Sequence, residues 1–179
     1  MRFIFLIVSL LLLLLACKKE PLAPLPDIPN VAVVSTDTIP DGGWFKIHIK
    51  HDTSIIDETV LVFQRNASPY YTPQADAVYF QGFGIAAISS LTADSISCAI
   101  QALPFRANSS LKLHVGIRQS GTFNIGISAI SNIPSGIKVL LVDNLSSDTT
   151  DLRLAGYSFT SLPVGINTPD SKRFKLLLK

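Results

Sequence analysis

From Trp44 to His51 the chain alternates strictly, with Phe45, Ile47 and Ile49 facing one way and Lys46, His48 and Lys50 the other. A period of two with bulky apolar residues on one side specifies a half-buried β-strand. The pattern recurs: Leu111, Leu113, Val115 and Ile117 are set against Lys112 and His114, and Phe123, Ile125 and Ile127 follow the same rule. Thr59 to Gln64 is apolar on both faces, which predicts a central strand. Shorter runs lie at Val31–Ser35, Ala77–Phe80, Ile85–Ser90, Ser95–Gln101, Lys138–Asp143, Leu152–Leu154, Tyr157–Thr160 and Phe174–Leu178. Turn residues such as Asp41-Gly42-Gly43 separate them, and beyond residue 16 no stretch of about ten residues keeps a 3.6 period. Short strands at this spacing predict an all-β fold, an antiparallel β-sandwich (immunoglobulin-like or jelly-roll-like) forming a single domain over residues 31–179. The last run is expected inside the core, because Phe174, Leu176 and Leu178 would otherwise leave an apolar edge exposed.

The start of the chain follows a different logic. Residues 3–15 are apolar except for Ser9, behind one positive charge at Arg2. As a helix they span about 20 Å, short of the roughly 30 Å hydrocarbon core, a length that suits the apolar region of a signal peptide. The run closes on Leu14-Leu15-Ala16-Cys17. This resembles the bacterial lipobox, in which the cysteine thiol takes diacylglycerol before cleavage. The resemblance implies a signal peptide over residues 1–16, lipidation of Cys17 with palmitate-type chains, and an outer-membrane lipoprotein. Two or three acyl chains, at about 0.8 kcal/mol per buried CH₂, give stable anchoring.

Residues 17–30 carry Pro21, Pro24, Pro26 and Pro29. Proline at this density favours an extended tether, about 30–40 Å long at about 3.1 Å per residue. Lys18-Lys19-Glu20 faintly resembles the charged export signal of Bacteroidota surface lipoproteins, so the cell surface is favoured over the periplasmic face.

Charge narrows the partners. The chain has 15 basic and 13 acidic side chains, and one of the basic ones, Arg2, lies in the leader. A near-neutral domain lacks the concentrated basic face that nucleic acid requires. With Cys17 acylated, Cys98 has no disulfide partner. Alternation places Ile96, Cys98 and Ile100 on one strand face, where the cysteine serves as a small buried apolar residue.

Several short motifs recur in a familiar order. Asp76-Ala77, Ile100-Gln101-Ala102-Leu103-Pro104, Leu113–Gly116 and Ser120-Gly121-Thr122-Phe123 come first. The run Gly136–Leu145, with Val139, Leu141, Asp143 and Leu145 alternating, Thr150-Asp151-Leu152 and Tyr157-Ser158-Phe159 follow. Together they are similar to a β-sandwich module of Bacteroidota cell-surface and secreted proteins that precedes type IX secretion sorting domains. The resemblance covers residues 57–179 and implies an accessory module, with the Asp and Tyr residues acting as turn caps and packing anchors rather than as catalysts. Here the chain stops at the last strand, and delivery is expected to rest on the lipid anchor.

The residues that could carry chemistry form no recognisable set. His48 and His51 are three apart on a strand and face opposite ways, so they cannot share an ion, and His114 is expected to point outward beside Lys112. Asp57-Glu58 is expected in a solvated turn. There is no nucleophile elbow, phosphate-binding glycine loop or zinc-protease helix. Neither an enzyme, a metal site nor a cofactor is expected.

Tyr70 and Tyr71, in a proline-bounded loop, with Trp44 near a turn, could offer a flat platform to a sugar or a partner, since tyrosine joins an apolar body to a polar tip. Asp37-Thr38-Ile39, Asp94-Ser95-Ile96 and Asp148-Thr149-Thr150 match the O-glycosylation tripeptide of Bacteroidota envelope proteins. Thr38 and Thr149 are the expected acceptors in loops, with Ser95 hidden in a strand. The expected role is a non-enzymatic accessory or structural subunit of an envelope or cell-surface protein complex; the alternative is a surface glycan-binding lipoprotein of a polysaccharide-uptake system.

Overall fold

The computed structural model describes residues 39–106, 108–163 and 172–179, and these are all-β, with no helix among them. The strands are β1 (Gly43–His51), β2 (Ser54–Phe63), β3 (Ala77–Val78), β4 (Ala86–Leu91), β5 (Ser97–Leu103), β6 (Ser110–Ile117), β7 (Gly121–Ser131), β8 (Val139–Asp143), β9 (Asp148–Asp151), β10 (Tyr157–Ser161) and β11 (Phe174–Leu178). The predicted Val31–Ser35 strand lies outside the described residues. The predicted strand at Leu152–Leu154 is instead a turn: Leu154 and Ala155 donate to the Asp151 carbonyl, and the strand before it is β9.

All the strands join one mixed sheet in the order β10-β7-β1-β2-β5-β4-β6-β11-β8-β9, with β3 added beside β5. One pair, β2 and β5, is parallel. This departs from the expected all-antiparallel arrangement. A parallel pair needs a long crossover, and the chain supplies one through β3 and β4 between residues 64 and 96.

The sheet curls nearly into a barrel, because its inward side chains share a single core. Phe45, Ile47 and Ile49 of β1, Leu113 and Ile117 of β6, Phe123 and Ile125 of β7, and Leu176 of β11 belong to one buried cluster. The two strands at the ends of the sheet order, β9 and β10, are joined by only residues 152–156. Phe159 of β10 packs on Phe174 of β11 with ring centroids 4.9 Å apart, closing the gap by side chains. β11 is central, between β6 and β8, and Phe174, Leu176 and Leu178 are buried as the alternation requires.

β5 changes partners midway. Ser97 and Cys98 pair with β4, whereas Ile100 to Leu103 pair with β2. Opposite β3, Ala77 faces Ile100 and Val78 faces Cys98, so Ala99 is an extra, bulged residue. The bulge reverses which side chains face inward. Cys98 is buried, but Ile100 is turned outward and Ile96 lies exposed before the strand, so the three do not share a face as simple alternation predicted. Beyond the bulge Gln101 and Leu103 fall in register with Leu61 and Phe63, on the core side. Thr59, fully buried in β2, steadies the switch by directing its hydroxyl at the Cys98 and Ala99 carbonyls, 3.1 and 3.2 Å away.

Candidate functional site

Three places in the fold gather side chains of chemical interest. The first is the seam between β10 and β8–β11. Asp143, whose side chain is 0% exposed, faces Arg173 across it: Nη2 donates to Oδ2 at 2.9 Å and Nε to Oδ1 at 3.1 Å. The Tyr157 hydroxyl donates to the same carboxylate at 3.0 Å and the Leu145 amide at 2.9 Å. The guanidinium lies 4.7 Å from the centroids of both Phe159 and Phe174, a doubled cation–π contact. Burial works against the Asp143 charge, yet Arg173 and the donors from Leu145 and Tyr157 outweigh it and hold the carboxyl below its usual range. Both Asp143 oxygens are engaged, so the cluster acts as a clasp.

The second place is a cleft at the β5 switch. Its apolar half, about 390 Å³, reaches Phe45, Leu61, Phe63, Leu176 and Leu178 from the mouth at Pro104 and Arg106. Its polar half, about 370 Å³, is walled by Thr92, Ser97, Gln101, Lys112 and His114. Pro69, Leu103, Ser110 and Leu111 border both halves. Volumes of this size are those of small-molecule sites.

Gln101 is 1% exposed, and neither Oε1 nor Nε2 has a hydrogen-bond partner. Ser97 Oγ and His114 Nδ1 are 2.6 Å apart. Burial lowers the His114 pKa, which favours the neutral ring beside Ser97. Among the described residues no carboxylate orients the other ring nitrogen, the third element that serine–histidine catalysis uses. His114 lies on the outer face of β6 as expected, but half-buried beneath Ser97 rather than free in solvent.

The third place is the end of the sheet where β2, β4 and β7 begin. Phe80 and Phe83 are 87% and 99% exposed in the loop between β3 and β4. That loop is held firmly: the Tyr79 hydroxyl donates to Asp57 at 2.5 Å and Arg118 Nη2 to the Gly82 carbonyl at 2.9 Å. Burial, together with the Asp57 carboxylate, pushes the Tyr79 hydroxyl pKa up, so it stays a donor. Asp57 also accepts from the Ile88 amide, so it is a structural bridge within β2 and not part of the solvated turn expected for Asp57-Glu58. Exposed Ile55 is adjacent to Ile56, which abuts Gly84 of the same loop. Exposed Leu145 and Leu162 border one surface hollow with Ile117, next to Arg118. These apolar side chains therefore crowd one end of the strands.

The residues singled out from the sequence are dispersed. Cys17 and Thr38 lie outside the described residues. Trp44 is half-buried on the outer face of β1, between Val62 and Ser131. Tyr70 is exposed and Tyr71 half-buried, in a loop tied to the β4–β5 turn by Tyr71 N to Asp94 Oδ1 (3.1 Å) and Ala93 N to the Pro69 carbonyl (2.8 Å). Thr149 is exposed, but on β9 rather than in a loop, while Ser95 is exposed in a turn at φ 67° rather than buried in a strand. His48 and His51 face opposite ways: His48 is buried over Gly126, and His51 packs on Phe123. Cys98 is buried, and desolvation raises its thiol pKa to about 11, so it is protonated and inert at neutral pH. Among the described residues no three His, Cys, Asp or Glu side chains come together to hold a metal ion.

Sequence reasoning missed Gln101 and the exposed phenylalanines. An isolated glutamine between apolar residues carries no signal unless the bulge at Ala99 is known. Phe80 and Phe83 could have been noticed as two aromatics flanking Gly82 between strands. Comparison of the chain with protein-family models, curated proteins and solved structures finds no match.

Proposed function

We propose that this chain is a lipid-anchored, non-enzymatic β-sandwich lipoprotein of the outer membrane, facing the cell surface, that serves as an accessory subunit of a protein assembly. In this reading the sheet order divides into two facing layers, with β5 crossing from one to the other at Ala99. The observation that carries the docking role is the pair Phe80 and Phe83, almost wholly exposed on a loop whose backbone is pinned by Arg118 and Tyr79. Contiguous exposed apolar side chains mark interaction sites, and a pinned loop loses little entropy when it docks. The described chain begins at Ile39, beside Gly43. That is the opposite end of β2 from Ile55, about 30 Å away at about 3.3 Å per residue. The apolar end therefore lies far from Ile39, at the other end of β2, where it is open to a protein partner.

The test is blue-native electrophoresis of the tagged full chain after mild detergent extraction. The parent is expected in a discrete larger complex, and the Phe80→Ser, Phe83→Ser double variant, altered only at exposed positions, as the free protein. A parent that migrates alone reproducibly refutes the reading. The anchor is tested separately, by labelled palmitate incorporation that Cys17→Ala abolishes.

A second reading, surface glycan binding, is favoured by the 59% exposure of Tyr70. No binding on a glycan array, or binding indifferent to both Tyr70→Ala and Tyr71→Ala, would remove it.

A further inference from the structure

The cleft at the β5 switch lies apart from the apolar end, and its chemistry is incomplete as it stands. A primary amide has two donors and an acceptor with two lone pairs, and burying one unpaired carries a desolvation cost that folding must absorb. Gln101 is held in that condition by the bulge at Ala99, which turns it inward beside Leu61. A single partner group satisfies both ends of such an amide when it too offers a donor and an acceptor, as a second amide does. Charge narrows the ligand further. Arg106 lines the apolar half and Lys112 the polar half, and among the described residues no Asp or Glu lines either. The apolar half runs down to Leu176 and Leu178, core side chains of β11, which offer a hydrocarbon wall rather than hydrogen-bonding groups.

We propose that this cleft binds a single-chain N-acyl amino acid. The acyl chain occupies the space between Phe63, Leu103 and Leu176; the amide pairs with Gln101; the carboxylate faces Lys112. Ser97, engaged with His114, and Thr92, engaged with the Ile96 backbone, border the head group. A neutral His114 beside them adds no charge that would compete with Lys112.

The test uses the full chain in lipid nanodiscs and, as probe, N-decanoylglycine bearing a diazirine near the end of its chain. Saturable photolabelling is expected on the strands carrying Phe63, Leu103 or Leu176, with competition by unlabelled N-decanoylglycine. Gln101→Leu should weaken binding about tenfold, the factor that one lost hydrogen-bonding pair carries. Lys112→Ala, at an exposed position that leaves folding intact, should weaken it several-fold. The methyl ester of the probe should bind with the weaker affinity and be indifferent to Lys112→Ala. Labelling that does not saturate, that falls elsewhere, or that is unchanged in both variants overturns the proposal. So does more effective displacement by an extended acidic peptide than by N-decanoylglycine, which would assign the cleft to a protein segment.

Discussion

Asp143 and Gln101 are both buried polar side chains at places where the sheet departs from regular pairing, and the fold treats them in opposite ways. At the β10 seam the Asp143 carboxylate receives Arg173, Tyr157 and the Leu145 amide, and the guanidinium that answers it is itself sandwiched by Phe159 and Phe174. At the β5 switch the carbonyls freed by the bulge are met by Thr59, but the Gln101 amide is not met at all. A group that completes its bonds inside the chain contributes to stability. One that is buried and left open subtracts from it, and its retention points to a use outside the fold.

Removing the answered charge should have the largest effect. Asp143→Ala leaves Arg173 buried without its counter-ion, and a loss of about 3–5 kcal/mol is expected, read as a shift of the urea midpoint at unchanged slope. A loss near zero would mean that the clasp is ornamental and the comparison fails. Thr59→Val keeps the volume but strips the hydroxyl from the Cys98 and Ala99 carbonyls. It should cost about 1–3 kcal/mol.

Gln101→Leu should move the other way. Replacing an unpaired buried amide by an apolar group of similar size is expected to stabilise the free protein by about 1 kcal/mol while weakening ligand binding. Destabilisation by that change would show that the amide is satisfied within the fold.

The smallest effect is the pH response, which separates the carboxylate from the histidines. His48 is lowered by burial and by Lys50, against the pull of Glu58, and His114 is lowered by burial. Both are favoured neutral in the folded chain, so as pH falls through about 6.5 the unfolded chain takes up protons that the folded chain resists, and stability drops. The Asp143 carboxyl is held below its usual range. Its contribution is therefore present above about pH 4 and lost only as pH falls further. Thermal unfolding between pH 7 and 5 should show the histidine loss alone, and His48→Gln with His114→Gln should flatten it.

Alternation in Trp44–His51, Leu111–Ile117 and Phe174–Leu178 made most of the strands and the inward faces legible, because burial of one face leaves a period of two wherever pairing is regular. It misplaced Ile96 and Ile100, because one extra residue in β5 reverses the face and nothing in Ile96–Leu103 announces a bulge. It also missed the strand at Asp148–Asp151, whose polar residues are allowed by its position at an end of the sheet order.

The candidate sites divide along the same line. His48 and His51 could be seen to face apart from their spacing alone, and Cys98 could be seen to be a buried core residue. The seam and the cleft could not, since Asp143 and Arg173 are thirty residues apart, and Gln101, Lys112 and Phe63 come from three strands.

By itself, the sequence determined that most of the described residues form β-strands with one apolar face, since that rests on local periodicity. Which strands neighbour one another, and where β5 changes partners, depended on contacts distant along the chain. Tertiary structure alone decided that Asp143 would be fully bonded and Gln101 left open, because satisfying a buried polar group depends on which distant strand arrives beside it.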